Sequence, residues 1–250
     1  MLLDRGEVQV LADADQIARV AADEFVRHAL EVVQSKGFFT VALSGGSTPK
    51  KLYSLLASEA SSFRAKVPWD KIHFFWGDER HISPDHSDSN YRMVYEAMLS
   101  KVPVPLENIH RIKAENPDAP GAAEDYEQML REFFRLEPGQ LPHFDLVLLG
   151  MGPDGHLASL FPETEALFED KRLVTAPWVE KFNSYRITLT TPVLNNAAFI
   201  IFLVTGEEKA GTLRAVLQGD YRPEHFPVQL IHPTNGRLLW LVDQAAARML

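Results

Sequence analysis

Ile17, Ala21, Phe25, Ala29 and Val33 recur every four positions, the spacing that lines one face of an α-helix. Asp13, with Gln16 three residues later, supplies a start signal for this helix, and Gly37 a stop. The next run, Phe38 to Leu43, is short and almost wholly apolar, as a buried strand is. It ends in Ser44-Gly45-Gly46-Ser47-Thr48-Pro49. Thr48 as N-cap and Pro49 at the first helical position predict a second helix carrying Leu52, Leu55 and Leu56. The alternation continues, with strands expected at 72–76, 109–112, 144–149, 185–190, 199–204 and 238–242. Helices are expected at 91–99, 122–136 and 207–217, with a short one at the C-terminal end. Strands that are apolar throughout, separated by helices, indicate a parallel sheet covered on both faces. In such sheets ligands bind beyond the carboxyl ends of the strands. The loops after Leu43, Trp76, Leu149 and Val204 are therefore the ones to inspect.

Composition narrows the class. The 250 residues are 46% hydrophobic and 24% charged, which excludes a disordered, collagenous or coiled-coil chain. No repeat or long linker interrupts the pattern, so one domain over residues 1–250 is expected. The absence of cysteine excludes disulfides, thiolate catalysis and cysteine-based zinc sites. The N-terminus Met1-Leu2-Leu3-Asp4-Arg5 lacks the pattern of a signal peptide, and the longest apolar run, Ala197 to Val204, is too short to span a bilayer. A soluble cytoplasmic protein is expected. A net charge of −9 argues against a nucleic-acid partner. It also weighs against an anionic substrate, unless that substrate is recognised locally.

Four features carry possible chemistry. In the 44–49 loop, Gly45 and Gly46 let backbone N–H groups approach a ligand, Ser47 and Thr48 add hydroxyls, and the following helix N-terminus favours an anion. The same loop would equally serve as a tight strand-to-helix turn. Asp78-Glu79-Arg80 places two acids and an arginine just after a buried strand, either as an oxyanion or carboxylate binder held by its acids or as a solvated turn. His81, Asp85, His86 and Asp88 lie in a stretch too irregular for a defined metal site, and no metal is expected. Gly150, Gly152 and Gly155 satisfy Gly-x-Gly-x-x-Gly, but Pro153 removes a donor from such a cradle and Pro162 cuts short the helix it requires. In the same segment Asp154 lies two residues before His156. It could orient the imidazole and leave the other ring nitrogen free as a general base. Finally, Arg186 lies in an alternating strand. Lys209 opens a helix, where it opposes the local dipole unless an anion binds there.

Together these segments resemble the 6-phosphogluconolactonase family, which is grouped with the glucosamine-6-phosphate deaminases. The matching stretches are SGGSTP (44–49), WGDER (76–80) with SN (89–90), GMGPDGHLASLFP (150–162), RITLT (186–190) and TGEEKA (205–210), spread in family order over most of the chain. The resemblance implies an α/β fold: a Rossmann-like three-layer α/β/α domain with a mostly parallel sheet. It implies hydrolysis of 6-phospho-D-glucono-1,5-lactone to 6-phosphogluconate in the oxidative pentose phosphate pathway, without a cofactor, by a monomer or small homo-oligomer. By the same carry-over Gly45, Gly46, Ser47, Thr48, Arg186 and Lys209 hold the phosphate. His156, helped by Asp154, is the base, Arg80 stands near the lactone carbonyl, and Asp78 and Glu79 complete the substrate site. The deaminases are the alternative. They typically carry Tyr at the position of Arg80, and an Asn-Glu pair where this chain has Leu160 and Phe161. Leu157, where Thr is common, is a small departure from the lactonase pattern. The expected picture is a small basic pocket on an acidic surface.

Overall fold

The computed structural model describes residues 5–250; the reading of the N-terminus as lacking a signal peptide therefore falls mainly on residues outside those described. In chain order the elements are β1 (Glu7–Leu11), α1 (Ala14–Lys36), β2 (Phe39–Leu43), α2 (Ser47–Ala57), α3 (Ser62–Lys66), β3 (Ile72–Trp76), β4 (Asp78–Arg80), α4 (Asn90–Ala97) and β5 (Ile109–His110). There follow α5 (Ala119–Phe134), β6 (Leu146–Gly150), β7 (Val174–Thr175), β8 (Trp178–Val179), β9 (Ser184–Leu189), α6 (Thr191–Asn195), β10 (Phe199–Val204), α7 (Ala210–Gln218), β11 (Arg237–Asp243) and α8 (Gln244–Ala247).

A seven-stranded sheet of order β1-β11-β10-β6-β2-β3-β5 forms the centre, and every pairing in it is parallel. Strand pleating puts successive side chains on opposite faces, and the aromatic contacts show both faces covered. Phe39 meets Phe25 of α1 and Trp76 meets Tyr91 of α4 on one face. Phe75 meets Phe133 and Phe134 of α5 on the other. β2, β6 and β10 are buried almost throughout, as their apolar runs require. α1 is capped by Asp13, whose side chain accepts from Asp15 N and Gln16 N, and ends at Gly37 with φ 88°; Ile17, Ala21, Phe25 and Ala29 are fully buried.

Several expectations change. β1 pairs with β11 at the sheet edge and was not expected from the sequence: Val8 and Val10 are exposed there, so its burial pattern carries no signal. β9 does not join the main sheet. It forms a small antiparallel sheet with β4, β7 and β8, so the triplet Asp78-Glu79-Arg80 is a strand rather than a turn. α2 begins two residues early, with Gly46 as N-cap at φ 104°, so Thr48 is inside the first turn and does not cap it. The helix after β10 starts as a 3-10 turn, Glu207–Lys209, before α7. Among the described residues no helix is long and apolar enough to cross a membrane.

Candidate active site

Loops leaving the carboxyl ends of β2, β3, β6 and β10 converge on one cavity of about 210 Å³, lined by the 44–49 loop, Asp78, Arg80, Asn90, Gly150–Pro153, His156 and Lys209. The glycine loop is pressed against α4. A Cβ on Gly45 would lie 1.9 Å from Asn90 Oδ1, so any other residue there would push Asn90 from its bonds to Asp78. Gly46 takes the left-handed region that α2's start requires. The first-turn N–H groups of α2 thus open on the cavity, and the Thr48 hydroxyl bonds Thr205 at 2.7 Å, tying this loop to the one after β10.

β4 divides its residues between roles. Asp78 is buried and accepts from Ser159 Oγ at 2.6 Å and from Asn90 Nδ2 at 3.3 Å, which fixes its carboxylate at the cavity wall. Glu79 is 3% exposed and lies outside the cavity lining. Its oxygens accept from the backbone N–H groups of Arg80, Asn90 and Tyr91 and from Ser89 Oγ, so it caps α4. Burial raises its pKa, against the opposing pull of those N–H groups. The structure thus shows Glu79, expected at the substrate site, engaged at the start of α4. Arg80 donates to the Asp88 carbonyl and reaches the cavity.

Arg186 is the cross-strand partner of Arg80. It lies outside the cavity lining, with its guanidinium 4.9 Å from the centre of the Phe182 ring. Burial lowers its pKa, and the neighbouring Arg80 charge lowers it further. Lys209 is half-buried and its pKa is lowered by burial, which the charges of Glu208 and Asp243 oppose. Within the described residues none of Arg80, Arg186 and Lys209 has a carboxylate partner within 4 Å, although the chain carries an excess of acids. A half-buried cation without a counter-ion is costly, and an anion in this cavity would relieve that cost.

The loop after β6 presents the imidazole. Gly155, at φ 79°, turns the chain, and Gly152 leaves room for the ring: a Cβ there would lie 2.1 Å from His156 Nδ1. His156 Nδ1 bonds Asp154 Oδ1 at 2.5 Å, and the ring stacks on Phe161 with centroids 4.3 Å apart. Partial burial by itself would raise the Asp154 carboxyl, but hydrogen bonds and charge from His156 and Lys181 hold it well below the usual carboxylate range. With Nδ1 committed to the carboxylate, Nε2 is the nitrogen left for chemistry. No helix follows the glycines. The chain turns instead through a bridge between Leu157 and Leu160, so the Gly-x-Gly-x-x-Gly match is not a dinucleotide cradle. His81 bonds the Asn116 carbonyl, His86 accepts from Asp88 N, and no cluster of metal-ligating residues occurs among the described residues.

Ser159, Thr205 and Lys181 hold Asp78, Thr48 and Asp154 without standing out in the sequence. Their roles come from contacts across 81, 157 and 27 residues of chain, which no local pattern signals.

This combination of a parallel α/β sheet, a glycine loop at a helix N-terminus and an acid-held imidazole among unpaired cations matches one family model. The model described as glucosamine-6-phosphate isomerases/6-phosphogluconolactonase covers residues 12–240, and the chain belongs to that family. Within it, the 6-phosphogluconolactonase of Nostoc sp. is 44% identical over 239 residues, covering 96% of each chain. The 6-phosphogluconolactonase of Trypanosoma brucei superposes with a TM-score of 0.87 at 27% identity, over 98% of this chain and 99% of that one. A monomeric glucosamine-6-phosphate deaminase also shares the fold, with a TM-score of 0.81 at 19% identity over 98% of this chain and 100% of that one.

Proposed function

We propose that the chain hydrolyses 6-phospho-D-glucono-1,5-lactone to 6-phospho-D-gluconate, the lactone-opening step of the oxidative pentose phosphate pathway. The observation that carries this reading is the pairing, around one cavity, of an imidazole oriented by a carboxylate with cations that have no carboxylate of their own. The family's named lactonases support the choice of substrate.

In this reaction His156 Nε2 takes a proton from water as the water oxygen attacks C1. The carbonyl oxygen becomes an oxyanion, which Arg80 stabilises. As the carbonyl re-forms, the bond from C1 to the ring oxygen breaks and His156 returns the proton to that oxygen. This leaves a C5 hydroxyl and a carboxylic acid that ionises in water. A lactone is already activated, so no covalent nucleophile is required. The phosphate lies against Gly45–Thr48 with Lys209 as counter-charge, and Arg186, the cross-strand neighbour of Arg80 outside the cavity lining, adds to the positive field. Asp78, acceptor-only when ionised, suits a sugar hydroxyl. The enzyme works as one domain in the cytoplasm, without metal or organic cofactor, as a monomer or small homo-oligomer.

The test is to supply freshly generated lactone and follow its loss above spontaneous hydrolysis, with ammonia release from glucosamine 6-phosphate measured in parallel. Enzyme-dependent lactone loss without ammonia is expected. Ammonia release without lactone loss would replace this reading with the deaminase. Phe161, stacked on His156 where the deaminase pattern places an acid, disfavours that outcome.

A further inference from the structure

Asp154 lines a second, larger cleft of about 860 Å³, whose wall also includes Phe161 and residues of the β8–β9 hairpin. The hairpin is short and well defined. Trp178 and Val179 pair with Tyr185 and Ser184, and the tip Glu180–Phe182 is a 3-10 turn closed by Asn183 at φ 46°. The Trp178 indole N–H donates to Glu180 across this turn at 3.1 Å. Two side chains reach from the tip to the catalytic loop. Phe182 sets its ring edgewise on Phe161, centroids 5.6 Å apart, and Phe161 in turn stacks on His156. Lys181 Nζ donates to Asp154 Oδ2 at 3.1 Å, while Asp154 Oδ1 serves the imidazole.

As an element of stability this ion pair is minor. The Lys181 side chain is 59% exposed, and exposed pairs contribute little. Its effect is geometric. A carboxylate with one engaged oxygen can rotate and offer either oxygen to the ring or to water, whereas one held at both oxygens offers a single acceptor in a fixed place. We propose that Lys181 is a positioning residue for His156: by occupying Asp154 Oδ2 it fixes Oδ1 as the acceptor of the Nδ1 proton and keeps Nε2 bare toward the cavity. This inference rests on the reading of His156 as the base of lactone hydrolysis. Asp78, Arg80 and Lys209 also face the cavity from other elements, and the variants that test it leave all three unsubstituted.

The test uses the full chain labelled with 15N-histidine, with the His156 ring signals assigned by their loss in His156→Gln. In the wild type the neutral ring is expected as the Nδ1–H tautomer. In Lys181→Met a mixture of tautomers is expected, with kcat lowered about five- to tenfold at unchanged KM. Lys181→Arg, which keeps the charge, is expected to restore both. An unchanged His156 tautomer in Lys181→Met overturns the inference whatever the activity. A changed tautomer with unchanged kcat overturns its catalytic half. If His156→Gln also retains turnover, the failure belongs to the base reading itself rather than to Lys181.

Discussion

Under the proposed reaction, substitutions at His156 and at the cations near it should act differently, the first on turnover and the second on affinity. His156→Gln removes the proton acceptor without opening the core, so kcat should fall by about 10²–10⁴-fold while the thermal transition stays near that of the wild type. Stopped assays alongside a melting curve check both halves. Lys209→Ala should instead raise KM for the phosphorylated lactone about tenfold or more, with a smaller change in kcat, because it removes a counter-charge that grips the substrate before and during reaction. An unmoved KM would remove Lys209 from the phosphate site. His156, Asp154, Arg80, Lys209 and the glycines stand in motifs short enough to read, and the structure brings them together at one cavity. Glu79 invites a site role because it is an acid beside an arginine. Its real partners, the N–H groups that open α4, lie 11 and 12 residues ahead.

Elements carry their own predictions. The start of α4 depends on Glu79 accepting from three backbone N–H groups and one hydroxyl, so Glu79→Gln turns one acceptor end into a donor facing donors. The expected cost is about 1–3 kcal/mol, read from urea unfolding. At the other edge of the sheet, His73 of β3 and His110 of β5 share a hydrogen bond of 3.0 Å. Burial lowers both pKa values, that of His110 to about 4 from 6.5. The unfolded chain therefore takes up a proton near pH 6.5 that the folded chain refuses until about pH 4. The stability this group contributes is present above pH 6.5 and is lost as pH falls toward 4, by about 2 kcal/mol once partial solvent exposure is allowed for. Urea midpoints at pH 7 and pH 4.5 should therefore differ less in His110→Gln than in the wild type. The interior strands were readable because burial on both faces forces apolar runs. β1 was hidden by its exposed edge position and β4 by its charges, since its strand character comes from pairing with β9.

At the scale of the whole molecule, a net charge of −9 sets the far field and the cavity cations set the near one. Inorganic phosphate should therefore raise the apparent KM for the lactone and leave kcat unchanged, while sodium chloride at matched ionic strength does much less; equal effects of the two would mean that no discrete anion site exists. The order of the central sheet has a different kind of consequence. β1 precedes every other strand of this sheet along the chain and its neighbour β11 follows them all, and the two lie in register from Glu7–Leu239 to Leu11–Asp243. Trp240 stacks on Phe202 and donates to the Arg5 carbonyl, locking the same seam. A nascent chain that stops before Arg237 leaves β1 unpaired and one edge of β10 open, the kind of bare strand that invites aggregation or proteolysis. The seam thus closes late: β1 can be sealed into the sheet only once the chain has been synthesised through β11.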